Sequence, residues 1–343
     1  MTTIIIKDYG VKLSYRRGMV VITKRGQVLD KVPLTTIEQI IVVTSGVALT
    51  SKLLRHCARN HIDIVVLDHR GEPIARLYPV TIGGTVLYRR AQYEAYNDHR
   101  GPHIARAIVM TKLRNQSNFL RYLAKNRKKT DPTTAEQLTD AAAKIIELTQ
   151  QLIKVDNDKL SDDLRQKLLT IEGHGARVYW EALAQALPTY LHFPGRDQEG
   201  QDIVNRSLNY LYGVLKSVTW KATTLAGLDP YAGYLHIDRS GRPSLTLDLM
   251  EPLRPALVDR VIVSYVQRKQ LKIHEVMEDG GRLSPWYRTE LIKALQERLQ
   301  TRTTYLGKSV TREQVPYLQA RNLARYLIGR EPQYIPFEEK YWY

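Results

Sequence analysis

The sequence is poor in cysteine, in phenylalanine, in long apolar runs and in negative charge. Cys57 is the only cysteine among 343 residues. No intrachain disulfide can form, and a cysteine-based zinc site is excluded. A single thiol fits a reducing compartment. No apolar run approaches the ~20 residues that span a bilayer. The start, MTTIIIKDYGV, carries no long apolar stretch of a secretory signal. The expected location is therefore the cytoplasm, with no membrane partner. Acidic residues are outnumbered, 35 Asp and Glu against 51 Lys and Arg, which leaves a formal net charge of +16. Such a surface attracts polyanions at long range, and nucleic acid above all, because each neutralised phosphate releases counterions. Three Phe stand against 21 Tyr. A tyrosine packs an apolar ring and keeps a hydroxyl free for a phosphate or backbone partner.

What is present suffices for a folded protein of about two domains. Hydrophobic residues make up 43% and charged residues 25%, which excludes disorder over most of the length. Residues 3–6, 12–15, 19–24, 27–32, 37–43, 62–67 and 73–78 read as short strands, with Arg25-Gly26 at hairpin spacing. Within this stretch only 50–60 changes to helical period, behind the capping residues Thr50 and Ser51. Cys57 falls on that helix as a small core residue. Beyond about Leu87 the period is helical: 103–123, 134–153, 162–187, 201–225, 255–269, 285–299 and 315–328. The tail 331–343 reads as an irregular closing segment. The expected fold is α+β. A small β-sandwich-like N-terminal domain over 1–84 precedes a larger all-α catalytic, DNA-binding domain over 85–343, with Gly83-Gly84 as hinge.

Chemistry concentrates in two stretches. Residues 228–255, LDPYAGYLHIDRSGRPSLTLDLMEPLRP, gather Asp229, His236, Asp238, Asp248 and Glu251. Asp248 and Glu251 stand three apart, so a helix there places both carboxylates on one face. Neighbouring carboxylates in a half-apolar segment repel each other unless a cation or protein donors neutralise them. Carboxylates with one imidazole suit Mg²⁺ or Mn²⁺ better than structural zinc. The bland alternative has Asp248 capping a helix and Glu251 pairing with Arg254. The second stretch, TIEGHGARVYWEAL over 170–183, sets Glu172 beside Gly173, His174 and Gly175 inside a helical pattern. Two glycines in one turn imply a close approach by another helix or a ligand, since each costs about 1 kcal/mol relative to Ala. Arg177 pairs more naturally with Glu181 than with Glu172, which leaves Glu172 without an obvious partner on its helix. Candidate DNA contacts are Arg177, Tyr179, Arg206, Lys216, Lys221 and Arg254, with Trp180, Arg196, Tyr210, Tyr212 and Trp220 nearby. For most of the aromatic ones a core position is the simpler reading.

These segments resemble the CRISPR-adaptation integrase family, CRISPR-associated protein one. The matching runs are IEGHGARVYWEAL (171–183), NRSLNYLYGVL (205–215), GLDPYAGYLH (227–236) and SLTLDLMEPLRP (244–255), with weaker ones at KLRNQ (112–116) and QARNLARYL (319–327). The resemblance implies a metal-dependent DNA endonuclease and integrase. It implies insertion of foreign DNA fragments into a CRISPR array by 3′-hydroxyl attack on phosphodiesters. It also implies a homodimer that assembles with a dimer of CRISPR-associated protein two. The family's metal ligands fall on Glu172, His236 and Glu251, with Mg²⁺ or Mn²⁺ as cofactor and Asp248 in support. Family members often carry Ala-Ala where this chain has His174-Gly175. The competing expectation is a basic DNA-binding scaffold with a degenerate metal site and no catalysis.

Overall fold

A computed structural model describes residues 2–60, 62–77, 85–153, 159–268, 271–278 and 281–341. The expected hinge Gly83-Gly84 lies outside these, as do the ends of the segments expected over 73–78 and 255–269. The chain divides into two compact units, Met1–Ile82 with Asn209–Ser217, and Gly83–Leu208 with Val218–Tyr343.

The first unit holds β1 (Thr2–Ile6), β2 (Val11–Arg16), β3 (Met19–Lys24), β4 (Gln27–Pro33), β5 (Ile37–Val42), β6 (Val47–Leu49), α1 (Ser51–Arg59), β7 (Asp63–Leu67) and β8 (Pro73–Leu77). Two four-stranded sheets form, in the orders β1-β5-β7-β8 and β4-β3-β2-β6. β1, β5 and β7 run parallel, while β2, β3 and β4 form an antiparallel meander. Its two hairpin turns are Arg17-Gly18 and Arg25-Gly26, with positive φ at all four residues. That backbone twist matches the twist of the flanking strands. Ile4, Ile40 and Ile64 from one sheet, Leu13 and Val20 from the other, and Leu53 and Cys57 of α1 share one core. This is the expected sandwich-like arrangement. Burial in that core pushes the Cys57 thiol up to about 11. Thr50 caps α1 by accepting a hydrogen bond from the Leu53 amide at 3.4 Å.

Residues 209–217 belong to a long helix, yet they cluster with this unit. The reason is a backbone contact. A Cβ on Gly213 would stand 2.4 Å from the Gly71 carbonyl oxygen, so only glycine lets the helix approach the β7–β8 turn. Arg76 crosses to the same helix, donating to the Ser217 carbonyl at 2.6 Å, while its Nε lies 3.1 Å from Asp63.

The second unit is built on α2 (Thr85–Glu94), α3 (Arg100–Arg127), α4 (Pro132–Ile153), α5 (Asp162–Ala186), α6 (Ile203–Leu225), α7 (Ser244–Met250), α8 (Arg260–Arg268), α9 (Ile273–Val276), α10 (Pro285–Gln300) and α11 (Val315–Leu327). A π-helical turn, Arg254–Asp259, leads into α8. Ser161 and Asp202 cap α5 and α6 by accepting from backbone amides of the first turn. α3, α4 and α5 pack together, and Gly175 is where α5 meets α3: a Cβ there would lie 2.2 Å from Leu113 Cδ2. The close approach inferred from Gly175 is thus to a helix, while Gly173 faces open space. The second unit is mostly helical, as expected, and two small hairpins are added to it. β9 (Met277–Glu278) pairs with β10 (Arg282–Leu283), and β11 (Arg302–Tyr305) pairs with β12 (Lys308–Thr311). Two- and four-residue strands are too short to show a period of two. No described helix is long and apolar enough to cross a membrane.

Candidate active site

Four segments of the second unit converge on one point. α3 carries a buried stripe through Ile104, Ile108, Asn115 and Phe119, and Lys112 falls on it. α5 brings Glu172 half-buried, and α7 ends directly before Glu251, which is buried. His236 lies within the irregular segment between α6 and α7.

Asp248 is the anchor of that segment. Its carboxylate is fully buried and accepts the backbone amides of Tyr234 at 2.6 Å, Leu235 at 3.0 Å and His236 at 3.0 Å. Its Oδ1 lies 2.7 Å from His236 Nδ1. A carboxylate acceptor at Nδ1 calls for a proton there, which leaves Nε2 with its lone pair. That nitrogen stands 3.9 Å from Glu251 Oε1. Gly233 makes the turn fit, since a Cβ would come within 2.7 Å of Ser244 Cβ and 2.9 Å of Asp248 Oδ2. The helix-cap alternative for Asp248 does not hold: it binds the preceding segment, not a helix N-terminus.

The Lys112 ammonium donates to both Glu172 Oε1 and Glu251 Oε2. Arg254 Nη2 lies 3.2 Å from Glu251 Oε1, so the expected i,i+3 pair does form. Burial alone would raise the Glu251 carboxyl. The positive charges of Arg254 and Lys112 outweigh it and bring the group down to about 2. Burial opposes the charged form of Lys112, and the two glutamates overcome it, so its pKa is raised.

The structure therefore brings together Glu172, His236, Glu251, Asp248 and Arg254. The donor chemistry fits a hard divalent cation: two carboxylates and one imidazole whose outer nitrogen is free of its anchoring partner. Lys112 shows that a cation is wanted between the carboxylates. Among the described residues, however, no three His, Cys, Asp or Glu side chains are gathered closely enough to hold an ion as they stand.

The remaining DNA-contact candidates separate. Arg177 is exposed on α5, as is His174; Lys221 is half-buried. Arg206 is half-buried and donates to Gln201. Lys216 pairs with Glu72 at 2.5 Å. Tyr179 is a correction. Its ring is fully buried and its hydroxyl donates to Asp259 at 2.9 Å, so it serves the core and offers DNA no face. Tyr210 and Tyr212 are buried as well. The residue that the sequence reading missed is Lys112. The signal was there: a lysine on the apolar stripe of a helix has to meet a buried partner.

The family description "CRISPR associated protein Cas1" matches residues 4–297. The CRISPR-associated endonuclease Cas1 1 of Archaeoglobus fulgidus is 36% identical over 98% of this chain and 99% of that protein. Among solved structures, a casposase bound to integration product superposes with a TM-score of 0.83 at 22% identity, covering 100% of this chain and 95% of that one. A chain of a Cas6-RT-Cas1–Cas2 complex gives 0.77 at 19% identity, covering 99% of this chain and 36% of that one. At these identities the structural likeness shows the fold.

Proposed function

The chain belongs to the CRISPR-associated Cas1 family, and from that premise we propose that it is a DNA endonuclease and integrase of CRISPR adaptation, with Glu172, His236 and Glu251 as ligands of Mg²⁺ or Mn²⁺. The observation that carries this is the convergence of two carboxylates and a pinned imidazole from three separate segments. When bound, such a cation polarises a phosphoryl oxygen and stabilises the charge developing on it. The protein supplies the rest. Glu172 and Glu251 provide negative charge, and Asp248 fixes the ring of His236 so that Nε2 faces the site. Arg254 holds the Glu251 carboxylate from its other side. In the strand-transfer reaction a DNA 3′-hydroxyl gives up its proton, bonds to phosphorus in the target strand, and displaces the target's own 3′-oxygen. One phosphodiester replaces another.

The proposed partners are double-stranded DNA fragments, the CRISPR repeat, a second copy of this chain and a dimer of CRISPR-associated protein two. The name of the Cas1–Cas2 neighbour supports the last of these. The proposed domains are residues 1–84 for dimerisation and 85–343 for DNA and catalysis. β4 supports the first assignment, being an edge strand with Val28 and Leu29 both more than half exposed. Edge strands are ready templates for pairing with another chain.

The test is strand transfer and nicking of a branched DNA substrate with Mn²⁺ or Mg²⁺. Glu172→Ala is expected to lose at least a hundredfold in rate, about 3 kcal/mol in barrier. Robust turnover by that variant, or by the wild type in excess chelator, overturns the reading. One observation favours a non-catalytic DNA-binding scaffold, namely the ammonium lodged between the carboxylates. That alternative gives salt-sensitive DNA binding with no turnover in any metal.

A further inference from the structure

Lys112 is 8% exposed, and its ammonium contacts both Glu172 and Glu251. Arg254 lies 3.2 Å from Glu251 Oε1, the oxygen that Lys112 does not use. Lys112, Arg254, Glu172 and Glu251 are two cations and two anions, so among these four side chains the charges cancel without any added ion. Taking ionic groups out of water is costly unless they are matched in this way. A divalent ion brought to the same carboxylates would add two positive charges to a balanced set, within contact distance of an ammonium. Like charges this close, in a site shielded from water, repel strongly. One of the resident cations has to give way. Lys112 is the one that occupies the space between the carboxylates, and its head sits on a flexible four-carbon stem.

Resting on the metal-binding reading above, we infer that Lys112 is a built-in counter-ion that stands in for the metal and must withdraw for the metal to enter, so that this lysine sets the metal affinity of the site. It keeps Glu172 and Glu251 together while no ion is bound. It also weakens binding by competing for the same oxygens. A lysine in this role is a positioning residue that acts through the two glutamates.

The experiment measures Mn²⁺ binding to the full chain without DNA, by calorimetry or by the electron paramagnetic resonance of free Mn²⁺. It compares the wild type with Lys112→Met and Lys112→Arg. Thermal unfolding is recorded in chelator and in saturating Mn²⁺. Lys112→Met is expected to bind Mn²⁺ at least tenfold more tightly than the wild type. It should also melt at a lower temperature in chelator and gain more from Mn²⁺. Lys112→Arg keeps the charge and should stay within threefold of the wild-type affinity. Wild-type binding with equal or weaker affinity in Lys112→Met overturns the inference alone. Absence of Mn²⁺ binding in every variant overturns the metal reading and this inference with it. Should Lys112→Met fail to fold, Lys112→Gln is the second neutral variant. If neither neutral variant folds, Lys112→Arg decides: tenfold tighter binding by that variant overturns the charge argument, and unchanged affinity supports it.

Discussion

A carboxylate buried without partners carries a penalty of several kcal/mol, yet Asp248 is fully buried and matched by three backbone amides and one imidazole. Each contact also does positional work, because the amides belong to the residues that deliver His236. Asp248→Asn keeps the shape but presents an NH₂ group to donors, and it removes the charge that holds the Nδ1 proton. Loss of such a supporting contact behind a ligating histidine costs about 10–100-fold in metal affinity or activity. We expect that loss for Asp248→Asn in Mn²⁺ titration and in strand transfer, with an unchanged far-ultraviolet circular dichroism spectrum. Unaltered Mn²⁺ affinity would contradict the role. Glu251 gives a pH test. Its carboxyl falls from an ordinary 4.5 to about 2 in the folded chain. A depressed carboxyl stabilises the fold fully above its unfolded pKa, and the gain disappears as pH drops through the folded value. In chelator, the stability difference between the wild type and Glu251→Gln should therefore shrink as pH is lowered from about 5 toward 2. A difference that stays constant in urea unfolding over that range would refute the ion-pair account. At this scale the local chemistry of the sequence made Glu251 and His236 visible, and it left Glu172 merely without a partner. Lys112 stayed hidden because KLRNQ reads as a basic helical surface unless the apolar stripe through Ile108 and Phe119 is followed across it.

Among elements, the C-terminal segment after α11 differs most from its appearance in the sequence, where it reads only as irregular. Phe337 and Glu339 are fully buried. Asn115 of α3 donates to the Phe337 carbonyl at 2.8 Å and to the Pro252 carbonyl at 2.7 Å, and accepts the Glu339 amide at 2.7 Å. Gln319 of α11 accepts the Phe337 amide at 2.8 Å and donates to the Leu249 carbonyl at 2.8 Å. The backbone on either side of Glu251 is thus tied, through one residue each of α3 and α11, to the same tail. Glu339 is locked in turn by Arg312 at 2.6 Å and Arg298 at 2.8 Å. Asn115→Ala strands two buried carbonyls and one amide, at about 1–3 kcal/mol for each unmet group. A loss of roughly 3 kcal/mol in urea unfolding is expected, accompanied by lower strand-transfer rate. A loss below about 0.5 kcal/mol, the scatter of neutral surface changes, would show that the tail is not held this way. Long helices such as α3, α4 and α5 were legible, because twenty or more residues repeat the 3.6-residue period. α2 and the β11–β12 hairpin were not. α2 is short and lacks a clear apolar stripe. The hairpin turns on Leu306-Gly307, both at positive φ, and leucine gives none of the turn signal of Asn or Asp.

For the molecule as a whole, the division into a strand-rich and a helical part was legible from the change of period near residue 87, because strand and helix periods differ so plainly. The membership of residues 209–217 was not legible. A helical period says nothing about which unit a helix packs in, and here a glycine-to-glycine backbone approach decides it. Net charge is the other whole-chain property, and it separates binding from chemistry. A formal charge of +16 is spread over 343 residues, with exposed cations such as Arg177 and Arg239 on the unit that carries the site. Each duplex phosphate neutralised contributes about 0.9 to the slope of log affinity against log salt. Contact with five or more phosphates gives a slope of about −4.5 or steeper, so a fourfold rise in salt weakens binding about five-hundredfold. Glu172→Gln changes none of the exposed cations. It should keep that slope while strand transfer is lost. Fluorescence anisotropy with a labelled branched duplex, titrated at several salt concentrations in chelator, reads the slope without turnover. A slope near zero for the wild type would remove DNA from the proposed partners, because no other feature of this basic surface would then account for attraction to a polyanion.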